Sequence, residues 1–316
     1  MKFPQLKIAQ LIPRYPIVQG GMATRVSTAP LAAAVANAGG IGVIAATGMS
    51  IEELKREIRE ARRLSKGIIG INIMFAVRQF ANLVHTAIGE KIDLIITGAG
   101  FSRDIFKWGA ESGVPIVTIV SSSKLAKIAE RLGAAAIVAE GNEAGGHLGT
   151  DRSLFEILPE IVASVKLPVI AAGGIVDGQG IAKAFRLGAS GVQMATRFVA
   201  SVECTVADVF KQMYLKARPE DIMLINSPVG MPGRAIRNPF VNDIMLGCPA
   251  PIKGCELCLK DCSREYCIIK ALENARLGNV NEGIVFAGKN VGQINSILPV
   301  QKIFDNLVQE VQAEPD

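Results

Sequence analysis

The chain has 316 residues, 49% hydrophobic and 20% charged, with a formal net charge of +5. That balance excludes a disordered or strongly polyelectrolyte chain and allows a large buried core. Lys and Arg are spread along predicted helices and are not gathered with aromatics into a patch, so no nucleic-acid surface is expected.

The N-terminal MKFPQLKIAQLIPRYPIVQGG does not read as a signal peptide, because Pro13, Arg14 and Pro16 break its apolar stretches. No stretch of about 18 uninterrupted apolar residues follows, so no membrane span is expected. The expected compartment is the cytoplasm, where the six cysteines would stay reduced and form no disulfide framework.

Eight short apolar runs recur along the chain: 16–19, 41–45, 68–72, 94–98, 115–120, 135–139, 168–172 and 191–195. They lack the alternation of half-exposed strands and read as strands buried on both faces of a parallel sheet. Stretches of helical period lie between them at 28–38, 50–65, 123–132, 153–164 and 179–187. Ser50 with Glu53 three residues on has the pattern of a capping box. Eight strand–helix units predict a closed (β/α)8 TIM barrel, with a doubly wound open sheet as the alternative.

After the eighth run the rhythm changes. Residues 201–285 read as an inserted, partly helical, Cys-rich lid, including a Pro/Gly-rich loop at 228–237. Residues 1–200 and 286–316 are then the barrel, the tail carrying apolar runs at 284–287 and 294–298 and a helix near 300–311.

The chemistry-bearing residues cluster at strand ends. Gln19-Gly20-Gly21-Met22 ends the first run, where glycines let a planar ligand approach the backbone, or simply make a turn. Asn72 ends the third; its amide offers both a donor and an acceptor. After the sixth run comes Glu140 to Gly149, with Gly145, Gly146 and His147 in a Gly-rich loop of high conformational freedom. An imidazole there suits a general base or an electrostatic partner. The other histidine, His85, reads as an ordinary helix residue. Gly173 and Gly174 follow the seventh run, and Gln193, Met194, Ala195 and Thr196 close the eighth. In such barrels a phosphate commonly binds between those two loops. Arg197 is its evident charge partner, unless it pairs with an acid.

Cys255, Cys258, Cys262 and Cys267 lie close together in sequence, with Cys248 just before them and Cys204 apart. The spacing suggests zinc or an iron–sulfur cluster without matching either pattern cleanly; redox thiols and inert cysteines are the alternatives.

These motifs together resemble the nitronate monooxygenase (2-nitropropane dioxygenase) family and the related FMN-dependent enoyl-ACP reductase II. The resemblance covers about 10–240 and rests on QGGM at 19–22, GIN at 70–72, TGAG at 97–100, EGNEAGGHLGTD at 140–151, AAGGI at 171–175 and GVQMATRF at 191–198. It implies non-covalent FMN. Gly20, Gly21 and Met22 would line the flavin, Asn72 would contact its ring or ribityl chain, and Glu140, Gly145 and Gly146 would lie beside it. Gly173, Gly174 and Gln193 through Thr196 would hold the phosphate, and His147 matches the family's catalytic histidine. At 194–196 the chain reads Met-Ala-Thr where members usually have Gly before the Thr.

The leading expectation is oxidation of alkyl nitronates by FMN and O2 to a carbonyl compound and nitrite. The alternative is NAD(P)H-dependent reduction of an enoyl thioester, and a third is a non-enzymatic flavin- or metal-binding protein. The expected partner is a small-molecule substrate, with a homodimer left open.

Overall fold

The computed structural model describes residues 1–98, 100–249, 251–252, 254–255 and 257–315. Ala99 of the TGAG motif lies outside them. Eight strands close a parallel barrel: β1 (Ile17–Gln19), β2 (Ile41–Ala45), β3 (Ile68–Met74), β4 (Leu94–Gly98), β5 (Ile116–Val120), β6 (Ala136–Glu140) and, past a two-residue strand β7 (Gly146–His147) of another sheet, β8 (Val169–Ala172) and β9 (Gly191–Met194). Pairing of Ile17 with Val192 and of Gln19 with Met194 completes the circle and rules out the open sheet.

Each strand alternates between two apolar environments, which is why the runs look continuous in sequence. Ile41 and Val43, Leu94 and Ile96, Ala136 and Val138 pack together inside the barrel, joined by Leu6 and Ile8 from the N-terminal segment. Ile44, Ile69, Ile71, Ile95 and Ile137 face outward into the helix layer.

That layer holds α1 (Ala29–Asn37), α2 (Ile51–Leu64), α3 (Phe80–Gly89), α4 (Arg103–Ser112), α5 (Ser123–Leu132), α6 (Leu154–Val162), α7 (Gly178–Arg186) and the four-residue α8 (Thr196–Val199). Half of the expected capping box at α2 forms. Ser50 Oγ accepts from the Glu53 amide at 3.2 Å, but the Glu53 carboxylate is taken by Arg25 at 2.5 and 2.7 Å.

After the barrel strands come α9 (Asp208–Lys216), β10 (Ile222–Asn226), β11 (Pro232–Ile236), α10 (Pro239–Met245), α11 (Ile268–Arg276) and α12 (Val300–Ala313). The loop expected at 228–237 is therefore only half loop: 232–236 form β11, antiparallel to β10 from Asn226↔Pro232 to Ile222↔Ile236. Pro232 and Gly233 disguise it, since both residues normally punctuate strands. Here Gly233 is needed, because a Cβ would stand 2.9 Å from the Phe286 ring. The apolar runs at 284–287 and 294–298 contribute only the single bridges Ala235↔Phe286 and Ser201↔Leu298.

Candidate active site

The same inward alternation that fills the barrel interior sets the next layer. Two residues beyond Gly70 on β3 comes Asn72; two beyond Val138 on β6 comes Glu140; two beyond Gly191 on β9 comes Gln193. All three line a cavity of about 470 Å³ at the C-terminal mouth of the barrel. Parity of the strand thus turns a stack of apolar side chains into a polar ceiling.

None of the three side chains makes a hydrogen bond or ion pair within the described chain, and Gln193 Oε1 is buried with no partner. Buried polar groups are normally satisfied, so unpaired ones converging on a cavity mark a ligand's place. Burial alone pushes the Glu140 carboxyl up to about 7.

Gly20, Gly21, Met22, Gly145, Gly146, His147, Ala195 and Thr196 line the same cavity. A Cβ on Gly21 would collide with the Asn72 side chain, and one on Gly145 would stand 2.6 Å from the Ala287 carbonyl carbon. A smaller adjoining pocket gathers Gly173, Gly174, Met194 and Thr196, and shares Glu140, Gly145 and Gln193 with the large one. Gly173 and Gly174 take φ of +114° and +69°, a region open to glycine at little cost. The pocket also takes in Gly288 and Asn290, which the sequence did not mark. The Gly288 amide donates to Thr196 Oγ1 at 3.0 Å and Asn290 Nδ2 to the Gly174 carbonyl at 2.7 Å. A glycine-walled cradle joined to a cavity with unpaired amide and carboxyl groups fits a flavin mononucleotide, phosphate end in the small pocket.

His147 does not sit in a free loop. It belongs to β7, which pairs with β11 through Gly233↔His147 and Arg234↔Gly146. Arg234 further ties the loop by donating from Nη2 to the Asn142 carbonyl at 2.7 Å. The imidazole Nε2 lies 2.7 Å from Ser227 Oγ, and the ring meets Phe286 edge-on at 5.2 Å. Burial lowers its pKa to about 4, so it is neutral at neutral pH.

Arg197 corrects an expectation. It lines neither pocket; its Nη2 donates to the Ala200 and Ser296 carbonyls, each at 2.6 Å, and it meets no acid among the described residues. It is buried and tied to the carbonyl of Ala200, just past α8. His85 packs on Trp108 at 4.4 Å, a structural position.

The cysteine-rich segment leans on the β3–α3 connection, with Arg78 N donating to Cys258 O and Lys260 N to Ala76 O. Burial raises the Cys258 thiol, and Cys267, Cys262 and Cys255 are near enough to raise it further. Among the described residues, however, no three ligating side chains stand close enough to hold an ion. Among the described residues the four thiols therefore form no ligand set for zinc or an iron–sulfur cluster. Cys204 is buried apart, its thiol pushed up to about 11.

The cavity's far wall was not legible in sequence. Phe210, Tyr214, Met231, Ile268, Leu272 and Phe286 form it, from α9, α11 and the hairpin region. Its sequence signals were the helical period of the inserted stretch and the apolar run at 284–287, neither of which says that they meet.

A family model for nitronate monooxygenase matches residues 5–310. The chain belongs to the nitronate monooxygenase family. The chain spans just under two thirds of the length of the first two relatives that follow. Two bacterial relatives are named (3aS,4S,5R,7aS)-5-hydroxy-7a-methyl-1-oxo-octahydro-1H-indene-4-carboxyl-CoA dehydrogenase. The one from Mycobacterium tuberculosis is 33% identical over 236 residues, 74% of this chain and 66% of its own. The one from Rhodococcus jostii is 32% identical, and the match spans 65% of its length. A probable nitronate monooxygenase of Staphylococcus aureus is 29% identical over 276 residues, 73% of this chain and 77% of its own.

Among solved structures, FabK from Thermotoga maritima is 36% identical, with a TM-score of 0.87 over 95% of this chain and 93% of its own. Nitroalkane oxidase from Streptomyces ansochromogenes shares the fold at 23% identity, with a TM-score of 0.83 over 95% of this chain and 96% of its own. No helix among the described residues is long and apolar enough to cross a membrane.

Proposed function

We propose that this nitronate monooxygenase family member binds FMN and uses it to reduce an enoyl thioester, with NAD(P)H as the source of electrons. The observation that carries this reading is the apolar wall from Phe210, Tyr214, Met231, Ile268, Leu272 and Phe286. A nitronate of a few heavy atoms would leave such a wall unfilled, whereas an acyl chain would bury against it. The reading is supported by the 36% identity to FabK, the enoyl-ACP reductase II among the neighbours, and by relatives named for a CoA thioester.

When bound, FMN supplies hydride chemistry that no side chain can. The chain's part is positioning. Gly20 and Gly21 let the backbone approach the ring, and Asn72 offers its amide to the ring edge. Gly173, Gly174 and Thr196 hold the phosphate, and the apolar wall excludes water from the reacting carbons. His147 borders the cavity where a proton must reach the carbon α to the thioester carbonyl.

The second reading is oxidation of an alkyl nitronate with O2, favoured by the neutral imidazole of His147, which suits removal of a proton from a nitroalkane. Turnover separates the two. Enoyl thioesters of increasing chain length, assayed with NADH under nitrogen, should be consumed faster than propionate 3-nitronate in air. The reverse order would replace the first reading with the second.

A further inference from the structure

The cradle proposed for a phosphate holds no positive side chain. Among the described residues no Lys or Arg lines it or the large cavity, and the one carboxyl in both is that of Glu140. Glu140 ends β6 in register with Ala172 of β8, which is in register with Gln193 of β9. In-register neighbours of a parallel sheet point to the same face, so the three form one row across the junction of the two pockets. Ala172 brings only a methyl to the middle of that row. The small pocket opens there, with the Glu140 carboxyl on one side and the partnerless Oε1 of Gln193 on the other. Glu140 is half-buried and makes no hydrogen bond or ion pair within the described chain.

The charged groups on the elements packed around it do not neutralise it. Glu143, on the loop after β6, accepts from Ser153 Oγ at 2.7 Å and from the Leu154 amide at 2.9 Å. Arg234 of β11 donates to the Asn142 carbonyl, and Arg197 of α8 to those of Ala200 and Ser296. Asp177 caps α7 by accepting from the Gly180 amide, and Lys289 is exposed and lines neither pocket. His147 of β7 is neutral at neutral pH, and the Tyr214 phenol of α9 donates to the Phe286 carbonyl. An ionised Glu140 would therefore share a site without a cation with a phosphate dianion, and the ligand itself displaces the water that would screen them. A neutral Glu140 instead adds a donor to the backbone amides and the Thr196 hydroxyl. Burial in the empty site already raises this carboxyl to about 7.

We propose that Glu140 holds FMN as a neutral carboxylic acid, so that loading the flavin takes up one proton. The inference rests on the reading that this site binds FMN and is independent of which substrate the flavin serves. The proton passes from solvent to the Glu140 carboxylate, and the acid then donates a hydrogen bond to an oxygen of the ligand. From pH 7 upward the free protein must be protonated before it binds. Affinity then falls roughly 50-fold between pH 7 and 9, approaching about tenfold per pH unit. An alkyl phosphate, with a second pKa of about 6, and the His147 imidazole, at about 4, titrate below this window.

Fluorescence titration of the full-length apoprotein with FMN at pH 7, 8 and 9 reads the affinity. Calorimetry in two buffers of different ionisation heat counts the protons. The expected result is the fall above, with close to one proton taken up per FMN at pH 9. Glu140→Gln fixes a neutral side chain, so its affinity should be flat from pH 7 to 9, exceed that of the unaltered protein at pH 9, and come without proton uptake. A flat profile without proton uptake in the unaltered protein overturns the proposal and leaves the cofactor reading standing. So does a Glu140→Gln protein that keeps the full slope, which would put the proton on the phosphate. Should that variant fail to fold, an infrared difference spectrum of the unaltered protein carrying ¹³C-glutamate decides. Loading with FMN at pH 8 should add the C=O band of a neutral glutamic acid, and a spectrum without it overturns the proposal. No binding at any pH would remove the cofactor reading and the proposal together.

Discussion

The backbone N–H of Gly288 donates to Oγ1 of Thr196 at 3.0 Å, joining residues 92 apart and fixing the rim of the small pocket. The hydroxyl keeps its own proton for a ligand. Thr196→Val keeps the shape but removes both functions. A hydrogen bond to a charged group contributes about 1.5–3 kcal/mol, so FMN affinity should fall roughly 10- to 100-fold. Fluorescence titration of the apoprotein measures it; unchanged affinity would place the phosphate elsewhere.

Glu140 and His147 oppose each other in pH. The Glu140 carboxyl is raised from 4.5 to about 7, so its contribution to stability is present below pH 4.5 and is lost as pH rises through 7. His147 is lowered from 6.5 to about 4, so its contribution is present above pH 6.5 and is lost as pH falls through 4. Between pH 4.5 and 6.5 the two slopes nearly cancel in the apoprotein. Glu140→Gln should expose the histidine slope, stability rising with pH by about 1.4 kcal/mol per unit across that window. Urea midpoints of the variant at pH 4.5, 5.5 and 6.5 check it; a flat series would contradict the paired burial.

Arg197 holds two backbone carbonyls and lines neither pocket. Arg197→Met should therefore cost stability, on the order of 2–4 kcal/mol for two carbonyls stripped of a charged donor. FMN affinity of the folded protein should stay within about twofold. Thermal denaturation and flavin titration on the same preparation separate these. A lost affinity with unchanged melting would restore Arg197 as the phosphate's charge partner.

The barrel was legible because its strands are buried on both faces and its helices are amphipathic, two periods that sequence carries openly. Asn72 was legible for a related reason, as a polar residue ending a run that is otherwise apolar, whereas Glu140 and Gln193 were marked by the resemblance of the motifs that contain them. Ser227, Phe286, Gly288 and Asn290 were not. They are brought to the site by β10–β11 pairing, by the Ala235↔Phe286 bridge and by the Thr196 contact, all relations between distant residues that no local pattern records. Arg197 was misread because charge next to a strand-end loop says nothing about which way a short helix turns its side chains.

If the proposed enoyl thioester is the substrate, the apolar wall predicts a length preference. Phe210 lines the cavity from α9, and Phe210→Trp should crowd it. Each methylene of fit is worth about 1–3 kcal/mol in such pockets. The variant should lose at least about tenfold in kcat/KM for long acyl chains and little for four-carbon ones. Equal losses across the series would argue that the chain does not lie against α9.

The proposed reaction is decided by where electrons leave the bound flavin. Anaerobic stopped-flow absorbance, on protein first bleached with one equivalent of NADH and then mixed with an enoyl thioester, tests this most directly. Return of the yellow colour within the turnover time, with the saturated thioester as product, is the predicted result. A flavin that NADH fails to bleach, or that stays bleached until oxygen is admitted, would contradict it.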